Sequence, residues 1–300
     1  MAFSILIKQL ACMTTTNTEI KFAFFGTPAL ANEILDALES AGYTPSLIVT
    51  MPDRPQGRGM DMRETAVATW GRERGIEVLK PEKLDNEFIT DFKSRNLSFS
   101  VVVAYGKILP QALLDISPMY NIHYSLLPRW RGATPVESAI LAGDTETGVA
   151  IQRIVYKLDA GAIVAMERTS IAETETTPEL RTRLNTIAAQ TLVALMPHLA
   201  DNSVETTEQN ESFATHCGKM SKEDGAISLS DSGIENYRKF RAYVPWPGIY
   251  TFFERGGKTI RTIITKCHME GSKFIIDAVK PEGKGEMPYT DFLQSGAKPL

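Results

Sequence analysis

Short apolar runs alternate with amphipathic stretches over the first half of the chain. Ile20-Lys-Phe-Ala-Phe-Phe25 has a single interruption, as a strand buried on both faces would. Gly26-Thr27-Pro28 then turns the chain, and Pro28 suits the first turn of a helix running to about Ala41. Ser46–Thr50 reads as a second strand, followed by a helix over 63–74, a strand Ile76–Leu79, a helix over 85–94 and a strand Phe99–Ala104. This alternation predicts an α/β domain with a Rossmann-like parallel sheet covered on both faces. Further on, Val149–Ile154 and Ala162–Met166 read as strands. Thr177-Pro178 opens a long helix with Leu180, Leu184, Ile187, Thr191 and Leu195 on one face.

The polar stretch Asp201–Glu211 has almost no large apolar residue and reads as part of an interdomain linker. Beyond it, Ser232–Tyr243 reads as a short helix. Ile249–Glu254, Thr259–Lys266 and Lys273–Val279 alternate like strands of a small barrel, separated by Gly256-Gly257 and Gly271. The expected organisation is an N-terminal extension over 1–19, an α/β domain over 20–200, a linker over 201–218 and a small β domain over 219–300.

Composition changes this picture little. The chain has 300 residues, 43% of them apolar, enough for two domains with substantial cores. The net charge of −4 is unevenly spread: residues 211–300 carry 13 basic and 11 acidic residues, the first 210 carry 19 and 25. A slightly basic tail on an acidic body is a faint nucleic-acid signal. Cys12, Cys217 and Cys267 are far apart with no C-x-x-C pair, so no disulfide framework or metal site is expected, and a reducing, cytoplasmic setting is. No apolar run approaches the roughly 20 residues of a membrane span. Phe3–Ile7 is too short, and Lys8 wrongly placed, for a signal peptide. Met13 is an alternative start, and an organellar address within 1–19 stays open.

The candidate chemistry lies in Met119–Thr134. Asn121 and His123 are two apart, so on a strand their side chains leave the same face, with Cβ atoms roughly 6.5–7 Å apart. An amide can donate to a developing oxyanion, and an imidazole can position or relay a proton, which suits acyl chemistry. Taken alone, such a pair is as ordinary as two satisfied polar residues. The continuation Asn121-Ile-His123-Tyr-Ser125-Leu-Leu-Pro128-Arg-Trp-Arg-Gly132, however, closely resembles the signature of the folate-dependent formyltransferases. Leu158-Asp159-Ala-Gly161 resembles their catalytic aspartate loop. Val244-Pro-Trp-Pro-Gly248 and Lys219-Met-Ser-Lys-Glu-Asp-Gly225 resemble their carboxy-terminal segments.

The resemblance covers roughly residues 20–295 and implies transfer of a formyl group from 10-formyltetrahydrofolate, with no metal. Asn121, His123 and Asp159 are then the catalytic group. Ser125, Leu126, Leu127 and Pro128, with the turn Tyr105-Gly106, are expected to line the folate site. Pro52-Asp-Arg-Pro-Gln-Gly-Arg-Gly59 resembles the loop with which the tRNA-acting branch enters the acceptor end of initiator tRNA. Arg54, Arg58 and Arg63 are thereby expected on an irregular exposed loop, contacting phosphates. The implied acceptor is the α-amino group of methionyl initiator tRNA, and the implied tail is an oligonucleotide-binding-type barrel, here shortened by about one hairpin between Cys267 and Lys284. A monomer is expected.

Two departures stand out: Met60-Asp61-Met62 where relatives carry lysines, and Tyr124 where they carry a small residue. On a strand Tyr124 faces away from His123 and packs behind the site. Competing readings are a sugar-nucleotide N-formyltransferase with the same donor and a tRNA-binding module with an inactive catalytic half. A nicotinamide dehydrogenase is a third, for which the chain lacks G-x-G-x-x-G.

Overall fold

The computed structural model describes residues 20–56 and 60–300. The extension over 1–19 and Arg58 therefore lie outside the described residues. The chain forms two compact units. One comprises residues up to Arg131 with Gly148–Arg168 and Arg183–Thr215; the other comprises Gly132–Thr147, Thr169–Thr182 and His216–Leu300.

In the first unit, β1 (Phe22–Gly26) leads into α1 (Leu30–Ser40) and β2 (Leu47–Val49). A small hairpin, β3 (Arg54–Gln56) and β4 (Asp61–Arg63), precedes α2 (Ala66–Glu73), β5 (Val78–Leu79), α3 (Asn86–Ser94) and β6 (Phe99–Val103). Then come α4 (Gln111–Leu114) and β7 (Met119–His123); α5 (Pro135–Ala142) belongs to the second unit, and β8 (Glu146–Arg153), β9 (Ile163–Ser170) and α6 (Thr177–Ala200) lie mainly in the first. Thr65 and Asp85 cap α2 and α3 by accepting from the Ala68 and Phe88 amides.

The main sheet has seven strands in the order β9-β8-β7-β6-β1-β2-β5. From β7 to β5 every pairing is parallel, as the alternating pattern predicts. β8 instead pairs antiparallel to β7, with Asn121 opposite Gln152 and His123 opposite Ala150. The reason is local: β8 starts beyond the His123 end of β7 and runs back along it. Every residue of β1 and β6 is buried, so both sheet faces are covered. On one face Phe25 meets Phe92 and Tyr105 edge-on at 5.7 and 5.3 Å, within a cluster that includes Val49, Phe88, Val102 and Met119.

Two expectations shift. The loop after β2 is not wholly irregular, because Arg54 pairs with Arg63 and Gln56 with Asp61 across the β3–β4 hairpin. Its prolines and glycines mask a pairing only three residues long. On α6 the buried stripe runs Leu180, Leu184, Ala188, Leu192, Met196, Leu199, leaving Ile187 and Leu195 half-buried. Ala188, Leu192 and Met196 make the contacts that Ile187 and Leu195 were expected to make.

In the second unit, α7 (Gly233–Tyr243) is followed by β10 (Ile249–Arg255), β11 (Lys258–Glu270) and β12 (Lys273–Pro281). β13 (Met287–Pro288), α8 (Tyr289–Gln294) and β14 (Lys298–Pro299) complete it. The sheet order is β13-β12-β11-β10-β14, and its pairings are antiparallel. The three long strands are those legible in the sequence; the two edge strands are two residues each and end in proline. Phe253 packs on Phe292 at 5.1 Å and on Tyr289 at 6.1 Å, closing the sheet's core with α8.

Tyr124 does pack behind the strand that carries Asn121 and His123. It is 8% exposed, and its hydroxyl donates to Asn185 Oδ1 at 2.8 Å. The Asn185 amide donates in turn to Leu30 O and Glu33 Oε2. Tyr124→Phe strips a donor from a fully buried acceptor and is expected to cost about 1–3 kcal/mol. Urea unfolding measures this, and an unchanged midpoint would mean that water or another donor replaces the hydroxyl.

Candidate active site

β7 aims Asn121 and His123 at the face onto which its cross-strand partner Gln152 also projects. His123 is 5% exposed. Its Nε2 lies 2.8 Å from the carbonyl oxygen of Trp130. A carbonyl only accepts, so Nε2 carries the hydrogen, and in the neutral ring Nδ1 keeps a lone pair. Nδ1 lies 3.7 Å from Asp159 Oδ2. The side-chain amide of Asn121, half-buried, makes no hydrogen bond among the described residues, so its N–H groups are available to a substrate oxygen.

Asp159 arrives from the loop between β8 and β9. Its φ of 48° is left-handed, a region that Asp tolerates better than most residues. Gly161 is required two residues on, because a Cβ there would lie 1.7 Å from the Arg153 carbonyl oxygen. The pair Asp159 and Gly161 is thus a strained turn pressed against the end of β8. The sequence expectation for Asn121, His123 and Asp159 is one cluster, and the structure brings the three together.

Residues that the sequence did not single out hold this cluster. Gln152, 2% exposed, donates to Asp159 Oδ1 at 2.9 Å. The two N–H groups of Gln209 go to the carbonyls of Asp159 and Gly161 at 2.9 and 2.7 Å, with Gln152 Oε1 sharing one of them at 3.2 Å. Its own oxygen accepts from Arg131, which is fully buried. Arg131 also grips Glu211 at 2.9 and 3.1 Å, and Lys157 reaches the same carboxylate at 2.8 Å. Thr215 N–H donates to Pro128 O, and its oxygens accept from the Trp130 and Arg131 amides. Thr207 and Ile163 exchange two backbone bonds of 2.8 Å. The stretch over 207–215, expected within the linker, is therefore a strap that lies in the first unit. Polar composition suggests a solvated connector; here the polar groups bind other polar groups.

The residues expected around the folate are Tyr105, Gly106 and Ser125–Pro128. The Ser125 side chain is fully buried and donates to Arg129 O at 2.5 Å, so it can meet a ligand only through its backbone. Leu127 is 3% exposed, yet neither its N–H nor its C=O has a partner among the described residues. Such buried backbone groups call for a partner, and the polar edge of a pterin ring supplies the matching donor and acceptor. Tyr105 is 2% exposed with an unpartnered hydroxyl, and burial pushes that phenol up to about 12, so it stays neutral. Gly106 has φ 90°, which lets the chain turn away after it. The residue set fits the group.

Of the expected phosphate contacts, Arg54 and Arg63 face each other across the exposed hairpin. Arg54 meets Glu82 at 3.2 Å. The hairpin's base is clamped by Lys80, which reaches Asp53 at 2.8 Å and Glu64 at 2.9 Å. Among the described residues no group of three His, Cys, Asp or Glu could hold a metal ion. No described helix is long and apolar enough to cross a membrane.

A family profile described as Formyl transferase matches residues 20–196, and one described as Formyl transferase, C-terminal domain matches residues 219–273. The chain is 38% identical over 267 residues to a methionyl-tRNA formyltransferase of Thermus thermophilus, covering 88% of this chain and 86% of that protein. It is 38% identical over 247 residues to one of Anaeromyxobacter dehalogenans, covering 81% and 78%. Among solved structures it resembles a methionyl-tRNA formyltransferase from Clostridium thermocellum, with TM-score 0.59, 14% identity and coverage of 89% and 100%. A sugar N-formyltransferase from Shewanella is similar in fold, with TM-score 0.61, 14% identity and coverage of 81% and 96%.

Glu211 offers a titration test of the strap. The Arg131 guanidinium, then the Lys157 ammonium, hold its carboxyl down to about 2. A depressed folded-state value means that the clasp contributes fully above the ordinary glutamate value of about 4.3. That contribution is lost as the pH falls through about 2. A side-chain carbon NMR titration at low salt is expected to show a Glu211 midpoint near 2 that rises in Lys157→Met. A midpoint near the ordinary value in wild type would show that the clasp does not hold in solution.

Proposed function

The chain belongs to the formyl transferase family, and we propose that it formylates the α-amino group of methionyl initiator tRNA. The observation that carries this reading is the cluster of Asn121, His123 and Asp159 on a chain 38% identical to methionyl-tRNA formyltransferases over most of its length. We assign catalysis to residues 20–200 and tRNA contact to the β3–β4 hairpin with residues 219–300. The protein acts as a monomer where initiator tRNA is charged, in the cytoplasm.

The formyl donor, 10-formyltetrahydrofolate, supplies a formyl carbon open to attack by an amine. Leu126, Leu127 and Pro128, with Tyr105 and Gly106, hold it, Ser125 contributing backbone alone. As the amine nitrogen bonds to the formyl carbon, negative charge collects on the formyl oxygen. Asn121 donates its amide hydrogen there, and one such donor is worth on the order of 3 kcal/mol. The attacking nitrogen must also shed a proton, and the formyl carbon must part from the donor nitrogen that carried it, which leaves protonated as tetrahydrofolate. His123 has Nε2 committed to Trp130, so Nδ1 and the neighbouring Asp159 Oδ2 form the accepting pair, and the carboxylate supports the imidazolium.

Asn121→Ala is expected to lower kcat about 10²- to 10³-fold with little change in KM for either substrate. Quenched-flow formylation measures this, and a wild-type kcat would remove Asn121 from the chemistry. Run beside elongator methionyl-tRNA and an amino-sugar nucleotide, the same assay is expected to favour the initiator. Sugar formylation without tRNA activity would move the acceptor to the sister branch.

Arg54→Ala and Arg63→Ala are expected to raise KM for tRNA and to flatten the salt dependence of binding by about one unit of slope each. Unchanged salt slopes would exclude the hairpin from phosphate contact.

A further inference from the structure

We propose that Gln209 and Gln152 are positioning residues that form a one-directional relay from Arg131, fixing which oxygen of Asp159 faces His123. The proposal rests on Asp159 acting in the transfer reaction. Its logic starts from a group that cannot be reversed, because a guanidinium carries donors alone. Arg131 Nε and an Nη reach Gln209 Oε1 at 3.0 and 2.8 Å, so the oxygen of that amide must face Arg131. The Gln209 nitrogen is thereby turned towards the catalytic loop, where it meets the Asp159 and Gly161 carbonyls and Gln152 Oε1. Gln152, its oxygen occupied, must present its nitrogen to Asp159 Oδ1, at 2.9 Å.

Each amide takes its orientation from the one before it. Asp159 Oδ1 is consequently an acceptor in every state of the relay. A proton taken by Asp159 then resides on Oδ2, the oxygen 3.7 Å from His123 Nδ1. Gln209 adds a second function by tying the loop backbone at two carbonyls, which stabilises the left-handed turn at Asp159.

The test is formylation of methionyl initiator tRNA by the full-length chain as wild type, Gln152→Leu, Asp159→Asn and the double variant. Gln152→Leu is expected to lower kcat about 10- to 100-fold while both KM values stay within about 3-fold. In the Asp159→Asn background the same change is expected to add less than about 3-fold, because Gln152 acts through Asp159. Additive losses, or a loss carried by KM, overturn the relay. Gln152→Glu keeps the shape but sets an acceptor against Oδ1, and it is expected to lose at least as much kcat as Gln152→Leu; a wild-type kcat overturns the relay.

A wild-type chain that formylates only an amino-sugar nucleotide defeats the substrate reading, and the same comparisons then run on that acceptor. A crystal structure of Gln152→Leu, read without any assay, should show the Asp159 carboxylate rotated from His123. An unrotated carboxylate overturns the relay whatever the turnover.

Discussion

A fully buried guanidinium governs the architecture of the site. Arg131 cannot shed its charge, and an unpaired buried charge would be severely destabilising. Its compensation comes from Gln209 and Glu211, nearly eighty residues further along. Once those two residues are drawn in, the strap between them and Thr215 follows, and with it the backbone bonds that fix Pro128, Trp130 and Arg131. The Trp130 carbonyl that holds His123 belongs to that turn. One buried charge thereby sets both the tautomer of the imidazole and the placement of the aspartate loop.

This arrangement accommodates strain at two points. Trp130 at φ 60° and Asp159 at φ 48° are both left-handed, and each is held by hydrogen bonds from the strap or from β7. Left-handed non-glycine residues cost of order 1–3 kcal/mol each, so they persist only where their neighbours over-determine them. Glu211, the strap's outermost anchor, is solvent-exposed, and its ion pairs are correspondingly sensitive to salt. The site is firm where Arg131 and Gln152 are buried and softest at that anchor.

The strands of the parallel sheet were legible because each is a short apolar run between turn residues, and Asn121 and His123 became legible through the continuation to Gly132 rather than through their spacing alone. The direction of β8 was not, since hydrophobic alternation says nothing about which way a strand runs. Gln152 and Gln209 were invisible for a different reason. A buried glutamine on a strand and an exposed-looking glutamine in a polar stretch carry no pattern of their own; their meaning lies in partners remote in sequence. The signal that could have found the strap is Arg131 itself, a charge close behind the buried end of β7, which demands a distant acceptor. The edge strands of the second unit were missed because two residues ending in proline show no periodicity.

The hairpin before α2 follows the same electrostatic reasoning in reverse. Arg54 and Arg63 are directly opposed across the β3–β4 ladder, where like charges repel. Among the described residues, Glu82 relieves Arg54 alone, through an exposed pair of small worth. At the base, the Lys80 ammonium is matched by two carboxylates and holds Glu64 below the ordinary carboxylate range. Among the described residues the chain thus neutralises the charge that anchors the hairpin and leaves Arg54 and Arg63 less fully matched. A polyanion brought against Arg54 and Arg63 would remove their mutual repulsion as it binds, so part of the attraction is already stored in the free protein. The exposed Met60 and Met62 beside them add apolar surface where further lysines would have added repulsion. Each further cation on this loop would raise the cost of holding the hairpin closed as well as its attraction for a polyanion.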